Sequence, residues 1–212
     1  MKVIDLTHTI KENMSVYPGT EPPSLKTANT HDDDGFKETL ITMFSHTGTH
    51  IDPPAHIYKN GKTLDSYETN AFVGRALVID CRGVGMGEKI DVSLIKNQEK
   101  VAGSVEFLLF CTGFDKKWGT QEYYGDYPVL SREALEYIIE KKYKGIGFDV
   151  IGLDPIGSLE LHRLLFSKSD MINIENLKNL DLCIGKSFTL VCLPLKIDNS
   201  DGASARAVAI LD

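Results

Sequence analysis

The chain is expected to form a mixed α/β fold, one domain over residues 1–212 in which helices pack on a large, partly antiparallel sheet. Three observations lead there. Seven strand-sized apolar, β-branched runs are spread over the whole length. Two or more helices interrupt them, yet several of these runs follow one another with no helix between, which argues against a doubly wound parallel sheet. Finally, 212 residues suffice for one sizeable core and are few for two.

Taken in order, the runs are KVIDL (2–6), ETLITMF (38–44), RALVID (75–80), EFLLFCT (106–112), GIGFDV (145–150), FTLVCLPL (188–195) and RAVAIL (206–211). Each is bounded by Gly, Asp, Asn or Pro, residues that break a strand. The clearer helix is SREALEYIIEKKY, Ser131–Tyr143. Ser131 is suited to cap it, Glu133 favours its first turn, and Leu135, Ile138 and Ile139 form one apolar face. A second is expected from Ser158 through LELHRLLF. The polar stretch TANTHDDDG, Thr27–Gly35, reads as an exposed loop beside the pocket, with His31 and Asp32-Asp33-Asp34 solvated. GVGMGEK (83–89) has closely spaced glycines but neither phosphate-loop pattern, and reads as surface.

The formal charge is −7, with no basic patch, which argues against nucleic acid or an anionic membrane as partner. Cys81, Cys111, Cys183 and Cys192 are far apart, form no CxxC pair and sit among apolar neighbours, as reduced core residues do. The N-terminal MKVIDLTHTIKEN lacks a continuous apolar segment, so a cytoplasmic protein without signal peptide or membrane anchor is expected.

The chemistry concentrates in HTGTHIDPPAH, residues 46–56, which holds three of the six histidines. Extended backbone over residues 38–52 would put His46, His50 and Asp52 on one face, since side chains alternate along a strand. A helix would turn Asp52 away, and Pro53-Pro54 would end it. A straight strand would leave the Cα atoms of His46 and His50 about 13 Å apart, too far for both imidazoles to reach one ion at about 2.1 Å. Gly48 is where a bulge or bend can shorten that path, and the prolines can turn His56 back toward the same pocket. Neutral imidazole and carboxylate suit zinc, manganese or iron, whereas calcium and magnesium prefer oxygen. A metal site is therefore the expectation for this stretch.

HTGTHIDPPAH resembles the HxGTHxDxPxH pattern of the cyclase family of metal-dependent hydrolases, which includes bacterial kynurenine formamidases and isatin hydrolases. Val16-Tyr17-Pro18-Gly19 resembles the family's substrate-proximal turn. Tyr127-Pro128-Val129-Leu130-Ser131 leading into GIGFDVIGLDP is similar to its central helix and strand, and LHRLL followed by NIENL to its second metal-ligand region. DGASARAVAI resembles the closing strand, with Ser204 where proline is usual. The resemblance covers nearly the whole chain and implies a β/β/α-type fold. It implies that His46, His50 and Asp52 bind one divalent ion, that Asp52 bridges to a second held by His162 and Glu175, and that His56 gives and takes the proton. Zinc is the first expectation for the metal and manganese the second. It also implies a small amide substrate, such as N-formylkynurenine or another acylamide, with a cyclic amide or a lactone as the alternative. A non-catalytic metal- or ligand-binding homologue is a further alternative, which the presence of His56 argues against. Tyr17 stands where kynurenine formamidases typically carry tryptophan, and its hydroxyl can meet a different group. A homo-oligomer, dimer or tetramer, is implied as well.

Overall fold

In the computed structural model, residues 1–100 and 104–212 are described. The chain opens with β1 (Lys2–Asp5) and then forms a separate two-stranded ribbon from β2 (Ser24–Asn29) and β3 (Glu38–Thr42). A single helical turn, α1 (His31–Asp34), sits at the ribbon's tip. β4 (His50–Asp52) and β5 (Val73–Asp80) follow. Next come β6 (Lys89–Ile90), α2 (Val92–Glu99), β7 (Phe107–Cys111), β8 (Val129–Leu130), α3 (Arg132–Lys141) and β9 (Gly145–Phe148). α4 (Glu160–Lys168), β10 (Ile172–Glu175), β11 (Phe188–Pro194) and β12 (Ala203–Leu211) complete the chain. No helix among the described residues is long and apolar enough to cross a membrane.

The main sheet runs β1-β12-β11-β5-β7-β9-β10-β4, and β4 pairs with β12 as well. That extra pairing closes seven strands into a barrel-like ring, so the expected mixed sheet is present but is not an open one. β5, β7, β9 and β10 are parallel neighbours, while β4, β11 and β12 join antiparallel. Closure depends on the length of β12. Its first residues, Ala203 and Ser204, pair with Ile51 and His50, and its last four pair with β1 along the same edge.

Strand alternation then sorts the side chains. Ile51, Val78, Leu109, Ile174, Leu190 and Ala207 belong to one buried cluster, to which every second residue of the ring strands contributes. Residues of the opposite parity, among them Ile79, Leu108, Phe110 and Phe148, pack with Leu135 and Ile138 of α3 and Leu165 of α4. Each large side chain so buried contributes about 1.5–3 kcal/mol relative to exposure. By the same alternation His50 and Asp52 of β4, and Asn173 and Glu175 of β10, leave the ring on its helix-bearing side.

Local signals account for the helices. The Ser131 hydroxyl accepts the N–H of Ala134, as an N-cap should, and Lys142 ends α3 with a left-handed φ of 59°. α4 starts two residues later than expected, at Glu160. The stretch 27–35 is exposed but not a loop throughout. It contains the end of β2 and the turn α1, capped by Thr30. The four cysteines are buried and free, as their apolar neighbours indicate.

Candidate active site

The segment leading to the histidines is not extended as its pattern suggests. β3 stops at Thr42 in the outlying ribbon, and residues 43–49 form a turn before β4 begins at His50. Gly48 provides the bend with φ +68°, a left-handed value costly for any residue with a Cβ. Neighbouring groups fix the turn. The Ser204 hydroxyl donates to the Thr47 carbonyl at 2.7 Å, the Asn176 amide to the Gly48 carbonyl at 2.9 Å, and the Thr49 hydroxyl to the Asn176 carbonyl at 2.6 Å. Serine at position 204 thus supplies a bond that proline could not. His46 consequently reaches Asp52 from a turn rather than along a strand, Nδ1 to Oδ1 at 2.7 Å. Pro53 and Pro54 lead into a 3-10 turn ending at His56, whose ring lies 4.0 Å from that of His46 and 5.7 Å from that of His162.

His50 Nε2 lies 3.2 Å from Asp52 Oδ1 and 3.6 Å from Glu175 Oε2. From α4, His162 Nε2 lies 3.5 Å from Asp52 Oδ2 and 3.3 Å from Glu175 Oε1. Three potential donor groups result: His46–His50–Asp52 and Asp52–His162–Glu175, which share Asp52, and His46–His56–Asp201 on the outer side of His46. The structure thus brings together all five residues expected at a metal, with His56 beside them. It also adds three residues not anticipated. Asp154 Oδ2 lies 2.7 Å from His162 Nδ1. The Asn173 amide donates to Asp52 at 2.9 Å and to Glu175 at 2.8 Å. Asp201 approaches His46 Nε2 at 3.5 Å. Asn173 had one legible signal, its strand parity with Glu175. Asp154 and Asp201 fall inside the family-like stretches GIGFDVIGLDP and DGASARAVAI, but no spacing tied either of them to the histidines.

The donors fit a divalent ion. His50 Nδ1 is engaged by the Gly48 carbonyl at 2.8 Å and His162 Nδ1 by Asp154, which leaves both Nε2 atoms directed at the carboxylates. His46 Nε2 is buried without a hydrogen-bond partner, an orphaned donor atom at the mouth of the cluster. Burial works against charge on these rings, yet the carboxylates prevail. The nearby Asp201 and the hydrogen-bonded Asp52 raise His46 to about 10, and Asp154, Asp52 and Glu175 raise His162 to about 12. Burial likewise opposes ionisation of Asp52, but the adjacent His50 charge and the His162, His46 and His50 bonds hold it well below the carboxylate range. The cluster therefore binds positive charge strongly. His56 goes the other way, because burial, with His46 and His162 adding to it, outweighs Asp52 and Glu175 and lowers it.

The cluster forms the floor of a cavity of about 510 Å³ with Tyr17, Phe44, Ile57, Ile151 and Leu159 among its walls. Tyr17 is half-exposed at the rim, and its hydroxyl oxygen accepts the N–H of Gly157 at 2.8 Å. That bond ties the 16–19 turn to the loop before α4. His31 and Asp32–Asp34 do not line the cavity, contrary to their expected place beside the pocket. They lie exposed at the ribbon's tip.

A closed mixed sheet carrying histidines and carboxylates that share one aspartate defines an enzyme-like centre able to hold divalent metal. The chain belongs to the cyclase family, whose model matches residues 4–155. It is 30% identical to a kynurenine formamidase of Bacillus cereus over 208 residues, 97% of this chain and 95% of the relative. It also resembles an isatin hydrolase bound to the product analogue thioisatinate, with a TM-score of 0.87 and 25% identity over 100% of this chain and 93% of that one. A potential metal-dependent hydrolase with cyclase activity aligns at TM-score 0.81 and 29% identity, covering 98% and 96% of the two chains.

Proposed function

We propose that the protein is a metal-dependent hydrolase of small amides, acting on an arylformamide such as N-formylkynurenine or a related acylamide. The observation that carries this reading is the placement of Asp52. It is shared by two donor groups on the floor of a largely apolar cavity, with the His56 ring 4.0 Å from that of His46 beside them. His46, His50 and Asp52 are assigned to one ion, and Asp52, His162 and Glu175 to a second. Zinc is the first choice and manganese the second, because imidazole with carboxylate suits both. When bound, such an ion lowers the pKa of water and polarises a carbonyl.

The chain's own residues supply the remainder. His56, held neutral by burial, accepts a proton from water and returns it to the leaving nitrogen. Tyr17, Phe44 and Ile151 exclude water around an apolar acyl or aryl group. A cyclic amide or lactone is the second reading, favoured by the likeness to isatin hydrolase. A homo-oligomer is also proposed. The ribbon leaves Phe36, Leu40 and Ile41 each more than half exposed, Leu40 and Ile41 on opposite faces, and a two-stranded ribbon alone is marginal in water.

The test is metal analysis followed by hydrolysis of N-formylkynurenine, isatin and simple lactones with zinc and then manganese. Metal-dependent turnover of the amides is expected. Absence of any stoichiometric metal after reconstitution would overturn the site assignment.

A further inference from the structure

The cavity lining contains four carboxylates, those of Asp52, Asp154, Glu175 and Asp201, and among the described residues no Lys or Arg contributes to it. The first three lie at the inner end and are engaged. Asp52 and Glu175 face the histidines and receive the Asn173 amide, and Asp154 holds His162 and the N–H of Leu161. Asp201 differs. Its side chain is 59% exposed, and it stands on the outer side of His46, where the cavity opens. Phe44 and Tyr17, 54% and 40% exposed, are apolar neighbours at the same opening. A substrate whose carbonyl lies over the inner cluster must extend its other end past this rim. There it meets aromatic surface and one carboxylate, with no Lys or Arg among the cavity-lining residues to pair an anionic group.

On the basis of the amide hydrolase reading above, we infer that the site selects substrates with an uncharged or cationic tail over anionic ones, and that Asp201 is the specificity-determining residue. Like charges brought together at a partly desolvated rim repel, and one exposed carboxylate facing the tail is enough to discriminate between otherwise equal ligands. The same repulsion acts on the carboxylate product of hydrolysis as it leaves. The inferred substrate class is therefore a neutral or cationic aryl amide, or a cyclic amide. An acylamide whose tail carries net negative charge would be a poor substrate, whereas the zwitterionic amino-acid tail of N-formylkynurenine is neutral overall.

The test uses an isosteric pair, 4-formamidobenzamide and 4-formamidobenzoate, with the metal-reconstituted protein at low ionic strength. The neutral member should show a kcat/KM about tenfold higher. The ratio should shrink as salt is added, because the rim is exposed and screened, whereas a steric preference would not move. Asp201→Asn should bring the ratio toward unity by lowering KM for the benzoate, with metal content measured separately because Asp201 touches His46. Equal or better turnover of the benzoate by the unaltered protein, or a ratio unmoved by both salt and Asp201→Asn, would overturn the inference. If neither compound is hydrolysed, the amide hydrolase reading has failed. Charge selection is then read from binding of 4-acetamidobenzamide and 4-acetamidobenzoate, where equal affinities would refute it and tighter binding of the amide would sustain it.

Discussion

Asp154 Oδ2 lies 2.7 Å from His162 Nδ1, and the same carboxylate accepts the backbone N–H groups of Leu161 and His162 at 2.7 and 3.0 Å. One side chain therefore both caps the start of α4 and sets the ring that faces Asp52 and Glu175. Leu159, at the formal N-cap position, makes no capping bond with its own side chain. Asp154→Ala should cost about 1 kcal/mol through the lost cap and weaken metal binding about 10–100-fold. Calorimetric metal titration beside thermal unfolding separates the two effects.

His56 sits beside the proposed ligands without belonging to the groups built around Asp52. His56→Ala should keep stoichiometric metal and lower kcat by about 10²–10⁴-fold. Full amidase activity in that variant would exclude the proton role.

Gly48 has φ +68°, and a Cβ there would lie 3.1 Å from Met14 Cε. Gly48→Ala should destabilise the protein by about 1–2 kcal/mol, the cost of a left-handed residue with a side chain. The bend carries His46, so its metal affinity should fall as well. Chemical denaturation with and without metal checks both.

His8 is buried against Trp118, ring to ring at 4.0 Å, and its Nε2 has no partner. Burial, with Lys178, Lys11 and Lys116 adding to it and Asp5 opposing, lowers it from 6.5 to about 4. The unfolded chain therefore takes up a proton as pH falls below about 6.5, and the folded chain does so only near pH 4. The His8 contribution to stability is present in full above that window and is lost as pH drops through it, by at most about 3 kcal/mol. His8→Phe keeps an aromatic ring on Trp118 without a proton to bind. The stability difference between wild type and variant should accordingly shift against wild type between pH 6.5 and 4 and be flat above. Denaturant midpoints at a series of pH values measure this.

The exposed ribbon gives a prediction about assembly. Leu40→Glu with Ile41→Lys should convert the wild-type oligomer to monomer without unfolding it. Sedimentation equilibrium and circular dichroism together would show this, and a wild type that sediments as a monomer would contradict the proposed assembly.

Much of this molecule was readable from local pattern. The seven apolar runs supplied strands, Ser131 and the Leu135–Ile138 face defined α3, and the spacing of His46, His50 and Asp52 around Gly48 marked the inner cluster. Such signals are short-range, written in period, caps and breakers, so they survive without tertiary contacts. The short strand β10 escaped because the polar residues it presents, Asn173 and Glu175, interrupt an apolar run, and β4 was read as the end of one strand from residue 38 rather than as a strand of its own. His46 was placed on a strand because ETLITMF is strand-like, yet that run pairs only with β2, and register alone decided where it stops.

Only the closed sheet determined which distant residues meet. β12 brings Ser204 onto the His46 turn and Asp201 to its rim, β10 lays Asn173 and Glu175 beside β4, and α4 lowers His162 over both. Those contacts span up to 157 residues of chain. Nothing local encodes them. They follow from which strand edges pair when the ring closes, and that choice is set by burying a shared core, to which no single segment contributes enough to reveal it.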